Sequence, residues 1–240
     1  MKNHRTWGIG AVLVLAAVYF FVFRAVKFNL AAASAAATNV PVTIIIDAGH
    51  GGEDGGATSV SGVQESQLNL AISLRLEQLL ALTGFQTSMI RETNTAVYSG
   101  DCSTITEKKV SDLKNRVATI NAVPNGLVVS IHQNHFSESK YSGAQVFYAA
   151  SGGSKELAGL MQARLRETLA PSNKREPKAA SSVYLMEHIQ CTGILIECGF
   201  LSNPQEDLLL QDPDYQKKLV CAIGCALTEY LSKGDVPFEV

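Results

Sequence analysis

Hydrophobic and polar residues fall in blocks along this chain. Short β-branched runs end abruptly in polar residues, and stretches with helical spacing separate them. Val42–Ile46 (Val-Thr-Ile-Ile-Ile) has the pattern of a strand covered on both faces. It stops at Asp47-Ala48-Gly49-His50-Gly51-Gly52-Glu53-Asp54-Gly55-Gly56-Ala57, where the glycines allow a sharp turn and close approach of a ligand. In Gln64–Leu80 the residues Leu68, Ile72, Leu76, Leu79 and Leu80 recur at helical spacing, with Glu65 at or just before the start and Gly84 as a stop. Phe85–Ile90 reads as a second strand and Arg91–Thr106 as a polar loop. Lys108–Val123 is helical through Val110, Leu113, Val117 and Ile120, and Pro124-Asn125-Gly126 ends it. Leu127–Ile131 is another short buried strand, running straight into His132. Ala144–Ala149 reads as a strand, and Lys155–Leu169 as a helix with Leu157, Leu160, Met161, Leu165 and Leu169 inward. Pro171–Ala180 reads as a polar loop and Val183–Met186 as a short strand. Gly193–Ile196 is apolar, and Glu197 interrupts it near its end. A final helix runs from Pro213 to about Leu231. Strands alternating with helices predict an α/β fold: a single three-layer domain with a mostly parallel central sheet and helices on both faces.

The first 39 residues are different. Trp7–Phe23 contains no charge, and Arg24 and Lys27 close it. At ~1.5 Å per residue it falls somewhat short of a ~30 Å hydrocarbon core, yet it exceeds the apolar core of most signal peptides, about 7–15 residues. Ala31–Ala37 offers small-residue cleavage sites, but two cations lie between them and the apolar core. The reading is a cytoplasmic stub, a signal-anchor and an Ala-rich linker over 1–39, with a cleaved signal peptide as the alternative. The folded domain would then be 40–240. Either reading sends that domain out of the cytoplasm, anchored to the membrane in the first case and secreted in the second. A net charge of −2 over 240 residues gives no basic footprint for nucleic acid. Five cysteines with no Cys-x-x-Cys argue against a structural zinc knuckle. Cys221 and Cys225 share a helix face and read as small core residues rather than a bridge.

The polar residues at the strand ends carry the chemistry. His50 and His132 each follow a buried strand, where open α/β sheets build their sites. Glu65 at a helix start can reach the His50 loop, although an acid there also suits the helix dipole. A buried charge at Glu197 is costly unless paired or used, and its sequence neighbours offer no arginine or lysine. Two imidazoles and one carboxylate, with a fourth position for water, form a usual ligand set for catalytic zinc, and a second glutamate can serve as general base. His135 and His188 read as cleft-lining or, by preference, solvent-facing residues.

The ordered set Ile46–Gly52, Glu65, Ser130-Ile131-His132-Gln133-Asn134 and Ile196–Asn203 resembles the zinc-dependent N-acetylmuramoyl-L-alanine amidases, bacterial cell-wall hydrolases, over roughly residues 42–232. The resemblance implies that His50, Glu65 and His132 are zinc ligands and that Glu197 is the catalytic acid/base. It implies peptidoglycan as substrate and hydrolysis of the lactyl–L-alanine amide. Ser142–Tyr148, Lys174-Arg175-Glu176-Pro177-Lys178 and Val183–Met186 are similar to the germination-type spore-cortex subgroup, in which stem peptides are stripped so that muramic-δ-lactam can form. The sequence departs from the wider family at Arg91-Glu92-Thr93-Asn94, where an aspartate often closes the segment. No wall-binding repeat is recognisable, which leaves the membrane segment to set location. Whether an activating protein partner is needed stays open. So do two other classes: a zinc carboxypeptidase-like peptidase and a non-catalytic wall-binding protein.

Overall fold

The structure is a computed structural model and describes residues 41–233. The proposed membrane segment lies outside the described residues. Among them, no helix is long and apolar enough to cross a membrane.

The described chain is an α/β domain around one six-stranded sheet, in the order β2-β1-β3-β6-β4-β5. The strands are β1 (Thr43–Ala48), β2 (Gln86–Met89), β3 (Gly126–Asn134), β4 (Gln145–Tyr148), β5 (Lys178–Ala179) and β6 (Thr192–Phe200). The helices are α1 (Glu65–Leu82), α2 (Ile105–Asn121), α3 (Ser154–Leu169), α4 (Tyr184–His188), α5 (Pro204–Gln211) and α6 (Pro213–Ser232). All neighbouring pairs run parallel except β4 against β6. The expected mostly parallel sheet is therefore mixed.

The two sheet faces follow from the two-residue period of the strands. Ile44, Ile46, Leu127, Val129, Ile131, Ile194 and Ile196 point to one face. There they pack against Ile72 and Leu76 of α1, Leu157 and Met161 of α3, and Ile223 and Leu227 of α6. Burying each such side chain fully contributes about 1.5–3 kcal/mol. Ile45, Val128 and Leu195 point to the other face, where α2 supplies Ile120 and the short α4 supplies Leu185 and Met186. The second face is more thinly covered, and it carries the polar ends of the strands: Asp47, Ser130, His132 and Glu197.

Two readings of local structure need correction. Val183–Met186 is not a strand: Tyr184–His188 forms a helix that seats Leu185 and Met186 on the second face. The β-favouring residues yield there to tertiary packing. The polar loop 171–180 contributes β5 at its end, paired to β4. Helix α5 had no reading at all. Asn203 caps it, accepting from the Gln205 and Glu206 amides, and Pro204 takes its first position.

Candidate active site

The chain leaves β1 towards β2 on one side and returns through α2 to β3 on the other, so the connections diverge between β1 and β3. Crevices in open α/β sheets form at the carboxyl end of such a divergence. His50 lies just past the end of β1 there, and β3 places His132 in register opposite Glu197 of β6. Glu65 enters from above as the first residue of α1.

His50, Glu65 and His132 each bring one ligand atom to within 4.8 Å of the others. His50 Nε2 is 3.3 Å from Glu65 Oε2, and His132 Nδ1 is 3.0 Å from Glu65 Oε1. Ligand atoms gathered this closely could share one cation. The donor set, two imidazoles and a carboxylate, therefore fits a divalent cation such as zinc. Glu65 also accepts from the Ala57 and Gln133 amides and from Asn69 Nδ2. Burial opposes ionisation of Glu65, but the two imidazoles outweigh it and hold its carboxyl far below the ordinary range. Burial likewise disfavours a charged His50, yet hydrogen bonds to Asp54 and Glu65 raise it to about 9 in the metal-free protein.

Glu197 is the contrasting acid. Burial pushes it up to about 7, and its Oε2 is buried with no hydrogen-bond partner among the described residues. It sits beside His132 without touching a cation of its own. A carboxyl in that condition can exchange protons near neutrality.

The backbone around the site is built to close tolerance. His50 adopts a positive φ of 61°, a conformation that costs a non-glycine residue energy and recurs at functional positions. A Cβ on Gly49 would overlap the His132 ring. One on Gly56, at φ +68°, would lie 2.6 Å from Glu65 Oε2. Neither position tolerates a side chain while the three ligands hold these places.

The chain as a whole matches known proteins. The family model described as N-acetylmuramoyl-L-alanine amidase matches residues 44–229. The chain belongs to that family. It is 37% identical over 196 residues to the germination-specific N-acetylmuramoyl-L-alanine amidase of Bacillus subtilis, covering 81% of this chain and 82% of that one. The CwlD amidase of Clostridioides difficile, solved in complex with the GerS lipoprotein, superposes with a TM-score of 0.77. It is 40% identical over 80% of this chain and 99% of that one. An N-acetylmuramoyl-L-alanine amidase from Clostridium difficile 630 superposes at 0.70 with 28% identity, covering 80% and 97%. This chain is an amidase of that class.

Several supporting residues of the amidase were not read from sequence. Asp54 pairs with His50 Nδ1 at 3.0 Å and so directs Nε2 towards Glu65. Its position four residues after His50 was the available signal. Arg116 of α2 is buried, bonded to Asp47 and donating to the Ala48 and His50 carbonyls. Burial works against the Asp47 charge, but Arg116 and the Ser130 hydroxyl hold it below the usual carboxylate range. Arg91, in the segment that departs from the family pattern, donates to the carbonyls of Ala48, Gly49 and Ser66 and ties the His50 loop to α1. His135 is exposed, and His188 is exposed and stacked on Tyr184, so neither joins the centre.

Proposed function

We propose that this amidase uses zinc, held by His50, Glu65 and His132, to cleave the amide between the lactyl group of N-acetylmuramic acid and L-alanine in peptidoglycan. The observation that carries this reading is the juxtaposition of a three-ligand cluster with an unpaired, buried Glu197 in register beside one ligand. Zinc, when bound, supplies Lewis-acid polarisation and makes water more acidic. Glu197 takes a proton from the attacking water and returns it to the nitrogen of the departing L-alanine. Asp54 keeps His50 in one tautomer, and the Arg116–Asp47 pair fixes the end of β1. No side-chain nucleophile is needed.

The relative from B. subtilis is named germination-specific. That supports a role for this chain in spore cortex, with stripped muramic acid going on to the δ-lactam. The lipoprotein bound to the C. difficile relative supports a protein partner here as well, a point that co-purification from the cell envelope tests. The metal assignment is tested by elemental analysis. The parent protein is expected to hold about one zinc per chain, and His132→Ala to lose most of it together with activity, because only three protein ligands are present. Full zinc occupancy and activity in His132→Ala would remove His132 from the centre.

A further inference from the structure

Among the described residues Arg175 forms no salt bridge, although Glu206 is close enough to feel its charge. Arg116, Arg164 and Arg166 each meet carboxylates. Arg175, among the described residues, makes one long hydrogen bond, 3.3 Å from Nη2 to the Ser142 carbonyl, and its Nε is buried without an acceptor. Glu206 is nearby, but its two oxygens already accept the Gly143 and Phe200 amides at 2.8 and 2.7 Å. The guanidinium lies over the Phe200 ring, 5.0 Å from its centroid, a cation–π contact that leaves its charge unneutralised. It lines a cavity of about 380 Å³ together with Ser142, Gly143, Asn173, Lys174 and Glu206.

The chain links this cavity to the strand that carries Glu197. Between His132 and Asn134 the register of β3 against β6 shifts, so that Asn134 opposes Phe200 while His132 opposes Glu197. The extra residue on β6 is a bulge, and it turns Phe200 to the same sheet face as Glu197. On the other side of Glu197, Gln145 of β4 is its direct cross-strand partner. Gln145 Nε2 donates to the Glu176 carbonyl at 2.8 Å, fixing the residue next to Arg175. The main chain next to Arg175 is thus one strand and one side-chain hydrogen bond away from the position of Glu197. An extended peptide advances ~3.4 Å per residue, so a stem peptide of a few residues can span a separation of that kind. Tyr141 stacks on Phe200 at 6.2 Å, and the exposed Phe136 packs edge-on to Tyr141 at 5.0 Å, forming an aromatic wall beside the cation.

We propose that Arg175 is a substrate-binding residue: its guanidinium receives a carboxylate of the stem peptide and so selects acidic peptides on the leaving side. The inference rests on the amidase reading of the site. A planar, permanently charged fork suits a carboxylate better than any other group a stem peptide presents.

The test compares purified disaccharide-peptide with the same compound whose peptide carboxylates have been converted to amides. The parent enzyme is expected to show a KM about tenfold or more higher on the amidated compound, with kcat changed less than about twofold. Arg175→Gln should show the same loss on the native compound and little further loss on the amidated one, with zinc content and melting temperature as in the parent. Arg175→Lys should recover part of the loss. Equal KM values for parent and Arg175→Gln on the native compound would overturn the proposal, as would full additivity of the two changes. The parent comparison decides alone if the variants fold poorly, since equal KM on both compounds excludes carboxylate recognition. A parent enzyme that releases no stem peptide from the native compound would instead remove the amidase reading itself.

Discussion

Two glutamates share one crevice, and their surroundings assign them opposite tasks. Glu65 lies between two imidazoles and two backbone amides, which keep it ionised and suited to hold a cation. Glu197 has apolar burial and no donor at Oε2, which keeps its proton affinity near neutral. This difference gives a pH prediction. As a base Glu197 works only when ionised, so kcat/KM should fall as pH drops through its pKa. That value is about 7 in the metal-free protein, and a dication in the site lowers it, so the acid limb of the loaded enzyme should lie at or below pH 7. Glu197→Gln should lower activity by roughly 10²–10⁴-fold and abolish the limb, with zinc retained. A pH profile of stem-peptide release checks this, and an unchanged limb in the residual activity of Glu197→Gln would assign it to another group.

The elements show which parts of this arrangement the sequence carries. The buried stretches of β1, β3 and β6 are largely apolar, and a residue with chemistry stands at the carboxyl end of each: His50 just past β1, and His132 and Glu197 near the ends of β3 and β6. Their identity and the positions of His50, His132 and Glu197 were legible because burial on both faces leaves no other reason for the polar stop. Glu65 was legible at a helix start but not as the residue bridging both histidines, because that depends on how α1 sits over the sheet. Arg116 was hidden. The spacing of α2 draws attention to Val110 and Leu113, yet both are exposed and the helix turns an arginine inward to Asp47. Cys221 and Cys225 are also exposed rather than in the core, and they are free thiols. The buried stripe of α6 is Leu219, Val220, Ile223, Ala226, Leu227 and Tyr230, which leaves 221 and 225 on the outer side. The apolar run Trp7–Phe23 remains a proposal of the sequence alone. It is expected to persist as an anchor, so amino-terminal sequencing of protein from membranes should find the segment intact. A mature start near Ala37 or Thr38 would make it a cleaved signal peptide.

At the scale of the molecule, the order of strands explains why distant sequence motifs meet. The connections diverge between β1 and β3, opening a crevice where His50, Glu65 and His132 gather, and β6 adds Glu197 in register. Phe136, Tyr141 and Phe200 form a run of ring contacts near the β6 end, with Arg175 over Phe200. The central claim is that these four residues hydrolyse the lactyl–L-alanine bond. Mass spectrometry of the products released from purified peptidoglycan tests it most directly. Free stem peptides with an L-alanine amino terminus and muramic acid residues bearing an unsubstituted lactyl carboxylate are expected from the zinc-loaded parent and should be all but absent with Glu197→Gln. Peptides shortened from their carboxyl ends while still attached to muramic acid, or products formed equally by parent and Glu197→Gln, would contradict it.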